Sequence, residues 1–284
     1  MSLRDLRTVV AGRPALDGAG VRILRTLGNH RHALDPFLML DEIRSDDEAD
    51  FIGGFPPHPH RGIETLTLML RGGFEHRDHL GHRAELRDGG AQWMSTGRGV
   101  IHSEMPLRSP EGLHGFQIWI NLPARDKLKE PEYAQVDADQ LPWHEFGDGA
   151  RARVFAGAWS LGGHTVRSPL ARLAASARVL ELLLPAGHEC VLDVAPGDAA
   201  LVYVIDGALA GGVGAGSTAI FDSGAALGVR AGADVAHVLV LAGTPIGEPI
   251  AQHGPVVMNT GDEIREAIEA YRNGSLTEPA RAAG

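Results

Sequence analysis

The chain has 284 residues, 44% apolar and 22% charged, which is core-forming material for two modest domains or one doubled one and excludes disorder over most of its length. A formal net charge of −10 lacks the electrostatic footprint of a direct nucleic-acid binder. A single cysteine, Cys190, excludes a disulfide scaffold and suits a reducing compartment. The first ten residues are polar and charged and carry no secretory signal. No window reaches the roughly 18 apolar residues of a membrane span, so a soluble, cytoplasmic protein without a membrane partner is expected. The 37 glycines and 17 prolines punctuate a chain of many short elements. Strand-length apolar runs fall at 65–70, 91–94 and 116–122 in the first half, then at 178–184, 200–205, 217–221, 226–229 and 237–241 in the second. Runs of that length bounded by turn residues predict an all-β sandwich or barrel.

The two halves resemble each other. Leu68-Met-Leu-Arg-Gly72 and Tyr203-Val-Ile-Asp-Gly207 are both strands running into a turn, and each half ends on a further apolar strand. Two tandem β domains fit, with irregular sequence around Pro123, Pro131 and Pro142 between them, and the division is placed at 135/136. One helix is predicted, over 261–273. Thr260 and Glu263 make a capping box, Ile264, Ala267, Ile268 and Tyr271 form one apolar stripe, and Gly274 stops it. Residues from Ser275 onward are expected to fray.

Histidine is placed unevenly. Ten of the 14 lie in the first 144 residues, at 30, 32, 58, 60, 76, 79, 82, 102, 114 and 144. In Phe55-Pro-Pro-His58-Pro-His60-Arg-Gly-Ile-Glu64, His58 and His60 aim to one side of an extended segment. In Gly97-Arg-Gly-Val-Ile-His102-Ser-Glu104-Met-Pro106, His102 and Glu104 do the same. Either pair alone is weak, and a lone His-x-His is usually incidental. Together, on neighbouring strands, they would surround one point with three imidazoles and a carboxylate, a mixed set that suits a divalent first-row metal, with iron(II) favoured for oxygen chemistry. Glu64 competes as a ligand only if the chain bends, because four extended residues carry it about 13 Å past His60.

The wording of these motifs resembles the pirin family of the cupin superfamily. The likeness runs through the Phe55–Thr65 and Gly97–Pro106 segments, His76-x-Asp78, Gln92-Trp-Met, His114-Gly-Phe-Gln-Ile-Trp-Ile-Asn-Leu122, Lys129-Glu-Pro-x-Tyr133 and Gly254-Pro-Val-Val-Met-Asn-Thr260. It implies two tandem cupin barrels of the double-stranded β-helix, jelly-roll type with a short C-terminal helix: 1–135 binding metal and 136–284 without a metal site. It implies one divalent ion, iron(II) in preference to manganese, nickel, copper or zinc, on His58, His60, His102 and Glu104, with Glu64 not a ligand. It also implies either a quercetin 2,3-dioxygenase, taking a flavonol and dioxygen with Glu104 as general base, or a non-catalytic metal-bearing regulator that acts on a transcription factor or metabolic enzyme through protein contacts. Segment 191–197, which matches the first motif in the second half, has no ligand set, so His188 and His237 are expected to be structural. Arg61 and Arg98 are expected to support the ligand segments. His76, Asp78, His79 and His82 are expected in a solvated turn, Gln117 near a substrate, Trp93 and Trp119 in the core, and Cys190 as an apolar filler.

Overall fold

The computed structural model describes residues 2–27, 34–147 and 149–278; His30 and His32 lie outside them. The fold is the expected one, all-β, with two tandem cupin barrels and one helix near the C-terminus. Each barrel is built on a seven-stranded antiparallel sheet. The first runs Glu132–Val136, Ala91–Ser95, Ile63–Arg71, Leu113–Asn121, Phe37–Ser45, Val21–Leu27 and Arg13–Asp17. A four-stranded sheet faces it, in the order Phe55–His60, Val100–Pro106, Gly73–Asp78 and Arg83–Arg87. The second seven-stranded sheet contains Arg178–Leu184, Ala199–Asp206, Ser217–Phe221 and Ala236–Gly243, and Leu6–Ala11 from the other end of the chain adds its edge strand. One strand therefore crosses the expected division at 135/136.

The alternation of side chains along the strands decides what each sheet face holds. Leu66, Leu68, Phe116 and Ile118 point out of the first barrel and meet Val179, Leu201, Tyr203, Leu239 and Leu241 from the second, in one dry core between the barrels. The opposite faces point into the barrels, and there the halves diverge. The second barrel is filled by aliphatic side chains such as Leu180, Leu182, Val202, Val204, Val238 and Val240. At the matching depth the first presents Thr67, Gln92 and Asp41, all buried. Cys190 packs in the second core as expected.

The internal likeness holds at the turns. Gly72 and Gly207 both follow the strand named for them and both have positive φ, +80° and +76°. A Cβ would stand 2.7 Å from the Gly112 oxygen in the first case and 2.1 Å from the Val235 oxygen in the second, so only glycine fits.

Two C-terminal expectations need correction. The helix spans Gly261–Arg272 with the capping box in place and docks Ile264 and Ala267 on Val256 and Met258. Tyr271, however, is 44% exposed, one turn beyond where the docked surface ends. The segment after the helix is not frayed at its start. Leu276 is 1% exposed, and Arg61 and Arg98 donate to the carbonyls of Leu276 and Glu278. The sequence offered no periodic signal there, because a single buried leucine held by arginines has no period. Residues 279–284 lie outside the described ones.

Gly62 separates the first ligand strand from the strand that follows it, at φ +81° with a would-be Cβ 1.9 Å from the Val257 oxygen. Gly62→Ala is expected to cost about 2 kcal/mol or more through the left-handed backbone and the clash. A thermal melt within a degree of the native value would show that the turn relaxes freely.

Candidate metal centre

The ligand-type residues come from two paired strands of the small sheet. Phe55–His60 lies antiparallel to Val100–Pro106, with His102 directly opposite His58 and Val100 opposite His60. Alternation sends His58 and His60 to one side, and pairing sets His102 beside His58 on the neighbouring strand. The ring centroids are 4.4 Å apart for His58–His102, 4.8 Å for His58–His60 and 5.0 Å for His60–His102. One ring nitrogen from each falls within 4.8 Å of the others.

The hydrogen bonds fix which nitrogens are free. His58 Nδ1 is 2.8 Å from the Pro56 oxygen and His60 Nδ1 is 3.2 Å from the Pro255 oxygen. A carbonyl only accepts, so Nδ1 carries the proton in both rings and the two Nε2 atoms are left as bare acceptors. They face each other at 3.0 Å. Both nitrogens of His102 are buried with no protein partner. Burial pushes His60 down to about 3, with His58 adding to the effect, and lowers His58 and His102 for the same primary reason. Three neutral imidazoles thus turn lone pairs toward one point, where a cation relieves their mutual repulsion. These residues fit a metal ion.

Glu104 is on the same strand as His102 and lines the same cavity, but it stands outside the close trio. Its carboxylate is held by three side chains of the large sheet. Thr67 Oγ1 donates to Oε1 at 3.0 Å, Gln92 Nε2 to Oε1 at 2.5 Å, and Gln117 Nε2 to Oε2 at 2.8 Å. A carboxylate accepts about four bonds, so one position remains, on Oε2. Burial raises the Glu104 carboxyl to about 7, against the pull of these three donors.

Glu64 is excluded by the fold. Gly62 ends the ligand strand, and Glu64 sits on the next one, facing out of the barrel, where its carboxylate accepts from the Ala174 backbone N–H at 2.7 Å. Arg61 and Arg98 support the site as expected. Arg61 Nε donates to the Arg98 carbonyl, and Arg98 pairs with Glu130 at 2.7 Å. Beside them, buried Lys127 donates to the Gly62 and Val257 carbonyls and to Asn121 Oδ1, which ties the turn after His60 to the C-terminal hairpin.

Several expectations change. His76 and Asp78 are not in a solvated turn. The strand runs to Asp78, and their side chains are 0% and 1% exposed. The His76 ring lies 5.4 Å from that of His102, stacks on Tyr133 at 4.4 Å, and points Nε2 at Asp78 at 3.2 Å. The reason is register: Glu104 pairs with His76 and His102 with Asp78, so both are carried in beside the ligands. Only His79 to His82 make the turn. Trp119 is not buried core. It lines the cavity, with its ring edge-on to His60 at 5.2 Å, whereas Trp93 is buried as expected. His237 is structural, bonded to Glu181 at 2.7 Å. Thr67 and Gln92 were not singled out from the sequence as functional. The available signal was a polar residue on alternate positions of strands whose other face is apolar, which marks a lined cavity rather than a solvated surface.

The cavity holds about 730 Å³. Its apolar walls come from Leu38, Met39, Ile43, Phe55 and Trp119, and His58, His60 and Glu104 line it as well. No helix among the described residues is long and apolar enough to cross a membrane.

Comparison with known proteins agrees with this arrangement. Residues 20–120 match the Pirin family profile, and residues 179–277 match that of the Pirin C-terminal cupin domain. A Vibrio cholerae relative, provisionally named a quercetin 2,3-dioxygenase, is 44% identical over 95% of this chain and 97% of its own. Human pirin is 35% identical over 96% of this chain and 93% of its own. A crystal structure of quercetin 2,3-dioxygenase from Acinetobacter baumannii superposes with a TM-score of 0.86 at 29% identity, covering 97% of this chain and 99% of that one. With both halves matched and relatives alike along nearly their full length, the chain belongs to the pirin family.

Proposed function

We propose that this protein is a quercetin 2,3-dioxygenase. It opens the central ring of a flavonol with dioxygen, keeps both oxygen atoms in a depside product and releases one ring carbon as carbon monoxide. The observation that carries the reading is a cavity of about 730 Å³ in which His58, His60 and a carboxylate with a spare acceptor position meet apolar walls, with His102 clustered against the two histidines. The names of the V. cholerae relative and the A. baumannii neighbour supply the substrate class.

We assign His58, His60, His102 and Glu104 to hold one divalent ion, iron(II), since mixed nitrogen and oxygen donors suit its oxygen chemistry. Bound there, the ion supplies a Lewis-acid contact for the flavonol oxygen and an electron path between ring and dioxygen. The rest falls to this chain's side chains. The Pro56 and Pro255 carbonyls keep His58 and His60 in the ligating tautomer. Glu104 has its one spare position on Oε2; when the flavonol enters, Oε2 gives up the ion and takes the proton of the 3-hydroxyl, while Thr67, Gln92 and Gln117 hold the carboxylate in place. Met39, Phe55 and Trp119 sandwich the rings and keep water from the reacting end. The single buried thiol, Cys190, accords with a cytoplasmic setting.

Ferrous ion should raise the melting temperature of the native chain, by about 2.7 kcal/mol of stabilisation at a hundredfold excess over Kd. His102→Ala should lose most of that rise; an equal rise would remove His102 from the ligand set. Anaerobically iron-loaded protein given quercetin and air should release carbon monoxide as the flavonol absorbance falls. No release with iron, manganese, nickel or copper would reject the enzyme and favour the regulator. Glu104→Gln should retain some metal and lower kcat by about 10²- to 10⁴-fold, the usual share of a general base. Turnover at the native rate would end its assignment as the base.

A further inference from the structure

The cavity continues past the histidines along a row of side chains that crosses the first sheet. Gln92 pairs with Thr67, Thr67 with Gln117, Gln117 with Asp41, and Asp41 with Arg25, on adjacent strands. The first three hold Glu104. Asp41 and Arg25 lie one and two strands beyond Gln117, about 5 and 10 Å away at ordinary strand spacing. Both line the same cavity as His58, His60 and Trp119.

Asp41 is 3% exposed. Arg25 grips it with two parallel bonds, Nε to Oδ1 at 2.8 Å and Nη2 to Oδ2 at 2.6 Å, and the same Nη2 reaches Asp17 Oδ2 at 2.7 Å. A carboxylate buried between Met39 and Ile43, even with a partner that is itself 36% exposed, is poorly explained by stability, since a well-packed hydrophobic side chain there serves as well or better. Each Asp41 oxygen has accepted one bond and keeps one acceptor position. Two carboxylates against one guanidinium leave this end negative, which repels a carboxylate or phosphate and suits a neutral O–H donor.

We propose that Asp41, oriented by Arg25, is the specificity determinant on the cavity wall beyond Gln117, accepting hydrogen bonds from hydroxyl groups on the distal aromatic ring of the ligand. The inference rests on the flavonol reading above and deepens it. One end of the ligand is taken by the histidine and Glu104 end, the apolar walls hold the rings, and Asp41 reads the substituents on the ring that reaches across the sheet.

The test is binding rather than turnover. Metal-loaded protein is titrated without oxygen with quercetin and with galangin, the same flavonol lacking the two distal-ring hydroxyls, and followed by ligand absorbance and tryptophan fluorescence. The native chain should bind quercetin about tenfold more tightly, the scale of a hydrogen bond to a charged group. Asp41→Asn should cut that ratio to about threefold or less, because a neutral amide oxygen is a weaker acceptor. The double variant Arg25→Met, Asp41→Leu removes both charges together, so no buried ion is left stranded and only the exposed Asp17 loses a partner, and should bring the ratio to about one. If either variant fails to melt cooperatively, the other carries the result. Equal binding of both flavonols by the native chain, or an undiminished ratio in a folded variant, overturns the inference and leaves the flavonol reading standing. Binding of neither flavonol overturns the flavonol reading and this inference with it.

Discussion

Three clustered imidazoles, His60 and His102 buried and His58 half-buried, with their lone pairs turned on one another, are the constraint around which the first barrel is organised. His58 and His60 give their Nδ1 protons to backbone carbonyls, which leaves their Nε2 atoms 3.0 Å apart with nothing between them to donate. His102 closes the ring with no protein partner at either nitrogen. A cluster of this kind is unfavourable by itself, since unpaired polar groups out of water are costly. It persists because the surrounding elements leave no alternative. The pairing of two strands fixes the histidines opposite each other, and the Gly62 turn, braced by Lys127, holds the end of the ligand strand.

The comparison of the two barrels shows how one architecture yields one site. Both present the same sheet order around a central strand and the same glycine turn, and both bury one face of the large sheet against the other barrel. The divergence that makes the site lies at the inward-pointing positions. Valine and leucine pack the interior of the second barrel. Threonine, glutamine and aspartate in the first cannot fill it in the same way, so a cavity remains and its wall carries hydrogen-bonding groups. Those groups fix the Glu104 carboxylate from the facing sheet, which places a charged side chain where a purely apolar barrel would have expelled it.

The C-terminal segment completes the enclosure. The Pro255 carbonyl reaches His60, Val257 receives Lys127, and Leu276 inserts beside Gly99, close to the start of the second ligand strand. A residue nearly two hundred positions away therefore helps set the His60 tautomer, which ties the site to the folding of the whole chain.

The all-β class, the doubling, the capped helix and the two i, i+2 pairs containing His58, His60, His102 and Glu104 are legible along the chain. Each of these is local: alternation, capping and turn glycines operate within a few residues, and the histidine motifs are compact enough to be read directly. Tertiary structure alone decided that His76 and Asp78 are buried beside His102, that Trp119 forms cavity wall, that Glu64 faces away, and that Leu276 is locked in place. Those outcomes depend on which strand lies opposite which, and on which face of a doubly buried sheet looks into a cavity. Cross-strand register brings together residues tens to hundreds of positions apart, and no periodicity along a single strand encodes it.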